Sequence, residues 1–169
     1  MSRSTIKRIA PWVAAGLWMV VIFLLSAQVA EDSSQTSGRI VHWVLGCLYR
    51  DFEKFSTVRQ AELMALWSVI IRKGAHFTEY AVLAALIANV LRGYSLPGKL
   101  RWGLPVAASA LYALTDEFHQ YFVPGRACRL LDVGIDTCGA VFGTIIFWSL
   151  WRLAGKRKRR RTNDQTYSL

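Results

Sequence analysis

The sequence has no Gly-x-Ser-x-Gly elbow and no His-Glu-x-x-His pattern. A nucleophile-elbow hydrolase and a helix-borne zinc peptidase therefore have no motif to rest on. Cysteine is sparse, with Cys47, Cys128 and Cys138. Three is an odd number and the spacing matches no metal-ligand pattern, so neither a disulfide framework nor a zinc module is indicated. A bond between Cys47 and Cys128 stays open, because spacing alone does not bring two backbones within reach. Internal repeats are absent, and the basic run near the carboxy terminus is the only biased segment. Acids are few, 11 Asp and Glu against 21 Lys and Arg.

Apolar residues, by contrast, are plentiful. They make up 53% of 169 residues, and mean hydropathy is +0.27. That is too apolar for an ordinary soluble domain of this length. The residues are also clustered. Four mostly apolar stretches lie at roughly 9–28, 68–91, 102–122 and 131–152, each about the 20 residues a helix needs to cross a bilayer. The expected fold is all-α: a polytopic membrane four-helix bundle over residues 1–155, with a basic tail at 156–169. Residues 1–30 also have the outline of a signal peptide, but the apolar stretch is long for one and no small-x-small site closes it.

The net charge of +10 suggests nucleic acid only until its placement is considered. Lys156 to Arg161 follow directly on Trp148-Ser149-Leu150-Trp151. Basic residues beside an aromatic belt mark a membrane boundary, so no nucleic-acid partner is expected. The amino-terminal tail, the 92–101 loop and the carboxy-terminal tail together hold 13 of the 21 basic residues and one acid, Asp164. The 29–66 segment holds four basic residues and five acids. By the positive-inside rule both termini are cytoplasmic, in a plasma or inner membrane, and 29–66 and 123–130 face outside.

Within 29–66, Ile40, Val41, Val44, Leu45, Leu48, Phe52 and Phe55 recur at helical spacing. This predicts an amphipathic helix, lying on the outer interface or packed on top of the bundle. Pro11 is expected near the first turn of the first span. Ser95-Leu96-Pro97-Gly98 and Val123-Pro124-Gly125-Arg126 read as turns, since Pro-Gly suits the centre of a type II turn.

The ionisable residues inside the spans form a pattern. Arg72, His76 and Glu79 share a helix face, with Lys73 and Tyr80 beside them. Asp116, His119 and Gln120 share another, with Glu117 adjacent. Asp132 and Asp136 open the fourth span, and Gly139 and Gly143 continue their stripe, so a neighbouring helix can approach there. At about 1.5 Å per residue, Arg72, Asp116, Glu117 and Asp136 fall roughly 5–10 Å below the outer boundary, with His76 deeper and Glu79 near the midplane. An intramembrane charge costs roughly 2.5–3.5 kcal/mol at a helix centre, so such residues face inward and pair. Counting Arg72, Lys73, Arg126 and Arg129 against Glu79, Asp116, Glu117, Asp132 and Asp136 leaves a negative excess. Protonated carboxyls, a protonated His76 or His119, or a bound cation must offset it. The bland alternative is a polar network that only holds the helices together.

Two blocks, RKGAHFTEY at 72–80 and TDEFHQYFVPGRACRLLDVGIDTCG at 115–139, together with Leu25-Ser26-Ala27-Gln28, resemble the VanZ-like family of membrane proteins. One departure is visible: Asp136 stands where the family pattern more often has asparagine. The resemblance implies a cell-envelope protein of the kind linked to teicoplanin, a glycopeptide antibiotic. Three functions follow from the site and the resemblance. The first is an outer-leaflet binder, in which Arg72, Lys73 and Arg126 grip an anionic lipid, a lipid-linked wall precursor or a glycopeptide. The second is a membrane-embedded hydrolase or transferase using Asp, Glu and His, with no catalytic residue or cofactor assignable. His76 with Glu79, and Glu117 with His119, supply donor types for a divalent metal but no complete ligand set. The third, a proton path through Glu79, lacks any continuing charge in the cytoplasmic half.

Overall fold

The computed structural model describes the backbone of residues 3–28, 30–126 and 128–166, and within those the side chains of 5–28, 38–126 and 128–156. Five helices account for nearly all of it: α1 (Arg3–Ser26), α2 (Ala30–Leu48), α3 (Thr57–Leu91), α4 (Gly98–Gln120) and α5 (Leu130–Thr166), with a 3-10 turn at Phe52–Lys54. There is no strand among the described residues. The all-α bundle read from the sequence is the fold.

Three helices are long and apolar enough to cross a membrane, over Thr5–Ser26, Thr57–Leu91 and Leu130–Lys156. The fourth expected span, α4, has 23 residues and so the length. It falls short in hydropathy because Lys99, Arg101, Asp116 and Glu117 lie within it. Asp116, Glu117 and Gln120 are buried, so α4 hides its polar groups against the other helices instead of showing them to lipid. Most of the outward apolar side chains, such as Leu17 and Leu24 on α1 and Ile145 and Leu150 on α5, are exposed as lipid-facing residues would be.

α3 and α5 run side by side in the same direction, and glycine explains how closely they approach. A Cβ on Gly139 would overlap the Phe77 carbonyl, and one on Gly143 the Ala81 carbonyl. The stripe Asp132, Asp136, Gly139, Gly143 therefore lies along the α3 contact, as its spacing indicated. α4 fills the other side of this pair, with Ala113 packing among Tyr80, Leu83 and Ile22. α1 attaches through side-chain bonds to main-chain carbonyls: Trp18 Nε1 donates to Glu79 O (2.9 Å) and Tyr112 Oη to Met19 O (2.7 Å).

Element ends differ from the hydropathy limits in instructive ways. α3 begins at Thr57, eleven residues before its apolar stretch, because Ser56 caps it by accepting from Arg59 N and no breaker follows. α5 continues through the basic tail to Thr166, since Lys and Arg are good helix formers. α1 starts at Arg3, so Pro11 lies inside the helix and not in its first turn. There it removes one backbone donor, the one that would serve the carbonyl four residues earlier.

α2 is helical as its periodicity indicated. Val41 and Leu45 are fully buried against Phe52 of the 3-10 turn and Leu63 of α3, while Trp43 on the far face is 70% exposed. The segment thus packs on the upper turns of α3. Of the two turns, Val123–Arg126 is type II in character: Gly125 has φ 75° and Arg126 N donates to Val123 O (3.1 Å). Ser95–Gly98 is not, because Pro97 caps α4 and Gly98 is its first helical residue. Cys47, Cys128 and Cys138 are unpaired and exposed.

Candidate functional site

At the end where α4 finishes and α5 begins, three helices and two loops deliver polar side chains to one layer. A cavity of about 150 Å³ is lined by Arg72, Lys73 and His76 of α3, Gln120 of α4, Arg126 and Arg129 of the connecting loop, and Asp132 and Asp136 of α5. Val69 and Ile135 supply its apolar walls. A second cavity of about 220 Å³ lies towards α1 and α2, lined by Ser26, Gln28, Arg72, His76, Glu79 and Arg126 with Leu25, Ile40 and Ile71. Arg72, His76 and Arg126 line both cavities, so the two are lobes of one site.

Each acid has a distinct environment. Asp132 pairs with Lys73 at 2.5 Å across the α3–α5 contact. Asp116, 3% exposed, accepts at Oδ2 from Ser26 Oγ (2.8 Å) and Gln120 Nε2 (3.1 Å). This bond set ties the last turn of α4 to the end of α1 and orients Gln120 at the cavity wall. Glu117 accepts from the backbone N–H of Arg129 (2.8 Å). It thereby places a carboxylate just ahead of α5, where the helix dipole favours negative charge. His76 Nδ1 lies 3.9 Å from both Glu79 Oε2 and Asp136 Oδ1. That is beyond hydrogen-bond range. Asp136 is fully buried, and neither of its oxygens has a hydrogen-bond partner.

The cations divide differently. Lys73 is committed to Asp132. Among the described residues neither Arg72 nor Arg126 has a carboxylate within 4 Å. Arg126 Nε donates to the Gln28 carbonyl (3.3 Å), which fixes the stem and turns the guanidinium across the two lobes. Burial, and then the like charge of Arg72, lower the pKa of Arg126 from its ordinary value. Both guanidiniums thus line the cavity together, while of its lining acids only Asp132 is held in an ion pair with a lysine or arginine.

Of the residues singled out from sequence, Arg72, Lys73, His76, Glu79, Gln120, Arg126, Asp132 and Asp136 line the two lobes. Asp116 and Glu117 stand one contact behind. Tyr80 and His119 do not reach the lining. Tyr80 is fully buried in the apolar core with its hydroxyl unpartnered. His119 stacks on Phe23 of α1 at 4.4 Å between ring centroids, its Nε2 also unpartnered. Two contributors were not singled out: Ser26, whose hydroxyl holds Asp116, and the Gln28 carbonyl, which holds Arg126. The only sequence signal for them was their place in the Leu25–Gln28 stretch. Among the described residues no group of three or more His, Cys, Asp or Glu is arranged to hold a metal ion.

No curated protein and no solved structure matches the chain. A family model described as VanZ/LLP1 matches residues 11–152, a span that takes in every residue of both lobes. The chain is therefore a membrane protein that belongs to the VanZ/LLP1 family.

Proposed function

We propose that the protein is a multi-pass envelope membrane protein, both termini cytoplasmic, whose two-lobed site binds the anionic headgroup of a lipid-linked or glycopeptide-type ligand in the outer leaflet. The observation that carries this reading is the pair Arg72 and Arg126. They come from different segments, line the same cavity and, among the described residues, have no carboxylate within 4 Å. Guanidinium presents paired donors that match a phosphate or carboxylate bidentately. A polar network built only to hold helices together would spend these charges on its own acids, as Lys73 does on Asp132. Here Asp116 is occupied by Ser26 and Gln120, and Glu117 by Arg129 N.

The lobes divide the work. The arginines take the anion. Gln120, held by Asp116, and the Asp132–Lys73 pair offer groups for hydroxyls or amides. Leu25, Ile40 and Ile71 give the second lobe an apolar side suited to the first part of a lipid chain. Lowered susceptibility to a glycopeptide such as teicoplanin would follow from sequestering or shielding a wall precursor. The direct experiment is native mass spectrometry of the purified protein with a polyprenyl diphosphate and, separately, the uncharged polyprenol. Retention of the diphosphate alone is expected; equal retention of both would remove the anion from the account.

A second reading, a membrane-embedded hydrolase or transferase, is favoured by one observation. His76 sits between Glu79 and Asp136, 3.9 Å from each, and lines both lobes. A phosphoryl or acyl ester bound in either lobe would meet this acid–base group beside Arg72 and Arg126. Turnover of the retained diphosphate to monophosphate would distinguish this reading from binding alone.

A further inference from the structure

We infer that the opposite end of the bundle carries a separate site for the phosphate headgroup of an anionic phospholipid, formed by Arg92 after α3 and by Arg152 and Lys156 of α5. An open groove lies between these residues, with Trp151 and Leu153 on its wall. The inference does not depend on the function of the two-lobed site.

Charge is the first argument. Between Glu79 and Asp116, and again between Asp136 and Lys156, the sequence contains no acid. Among the described residues none of Arg92, Arg152 and Lys156 forms an ion pair. Several cations are thus brought together, and no described carboxylate pairs with them, so the groove presents net positive charge to an anionic lipid surface.

Placement is the second argument. Two arginines at this end are held against indoles. Arg101 lies over Trp148 at 5.3 Å and Arg152 over Trp102 at 5.6 Å, with the two rings 6.4 Å apart. Trp12 Nε1 donates to Tyr94 Oη (3.3 Å) nearby in the fold. Such a ring of Trp and Tyr sits at headgroup level in a membrane. Cation–π stacking fixes the Arg152 plane in advance and lowers the cost of organising it around an anion. The helix surface leading into the groove is apolar, with Leu150 and Leu153 exposed. A phospholipid can place its phosphate among the cations and run its chains along that surface. A free phosphate would gain nothing from it.

The test uses the full chain in detergent, with phosphatidylglycerol, phosphatidylcholine of the same chains, and inorganic phosphate as probes. Native mass spectrometry reads the lipid retained. Phosphatidylglycerol should be retained and phosphatidylcholine not, and millimolar phosphate should not displace it. Arg92→Gln should weaken retention about fivefold, and Arg92→Gln with Arg152→Gln about 25-fold, following the usual effect of one basic residue near an anionic lipid surface. Arg92 is exposed and stacks on no ring, so the single variant is informative even if the double variant aggregates. Equal retention of both lipids, displacement by phosphate, or unchanged retention in Arg92→Gln would each overturn the site.

Discussion

The close approach of α3 and α5 at Gly143 gives the sharpest structural prediction. In Gly143→Ala the new Cβ would sit 2.6 Å from the Ala81 carbonyl carbon and 2.7 Å from its Cα, against 3.4 Å or more for an ordinary contact. What it meets is backbone, which has no rotamer to change. α3 and α5 must part by about 0.8 Å or more. Overpacking of this kind costs roughly 1–3 kcal/mol. The added methyl also favours helix by about 0.8–1 kcal/mol, because glycine is a poor helix former. The clash should win, leaving Gly143→Ala destabilised by about 1–2 kcal/mol. Gly74→Ala and Gly134→Ala are the controls. Nothing lies within 4 Å of either new Cβ, so only the propensity gain acts and both should be neutral or stabilised. Reversible unfolding in mixed micelles would read the differences. The contact is also two turns below Asp136, so parting the helices should widen the gap between His76 and Asp136. Gly143→Ala equal to the parent, or Gly74→Ala equally harmful, would refute the close-packing argument.

Ser26→Ala removes a buried hydroxyl that donates to Asp116, and should cost about 1–3 kcal/mol while leaving α3 and α5 unaffected; hydrogen exchange should show the loss confined to α1 and the end of α4. Asp136→Asn should match or exceed the parent in thermal stability, because the carboxyl is fully buried with no hydrogen-bond partner and its ionised form gains nothing there; a drop of more than about 1 kcal/mol would mean that its charge is used. In a cysteine-free background, Ser37→Cys and Ser95→Cys should label from opposite sides of intact cells, and labelling of both from outside would overturn the proposed topology.

How much was visible in the residues themselves follows from the kind of signal each feature leaves. The α3–α5 contact was legible because Asp132, Asp136, Gly139 and Gly143 repeat at one helical spacing, and small residues have few other uses there. The charged layer was legible because ionisable side chains are costly in an apolar span and cannot be scattered at random. The upper turns of α3 were missed because hydropathy marks where a helix becomes apolar, not where it begins. Ser26 was missed because a lone serine at a helix end is ordinary until α1 is docked beside Asp116. His119 was grouped with Asp116, but three residues turn a helix by about 300°, leaving its ring displaced towards Phe23. The choice between an interfacial and a packed α2 depended on Leu63, which lies beyond Phe55, the last residue of the helical periodicity in the 29–66 segment.

The central claim is that Arg72 and Arg126 clamp an anion. The measurement is the parallel comparison of Arg72→Lys and Arg126→Lys for abundance, thermal stability in detergent and retention of a polyprenyl diphosphate. Lysine keeps the positive charge but lacks the planar two-donor fork. The account predicts parental abundance and stability with diphosphate retention lowered at least about tenfold, the loss expected when a bidentate charge-assisted contact is replaced. Abundance and retention falling together would assign the arginines to scaffolding, and full retention in both variants would remove them from the site.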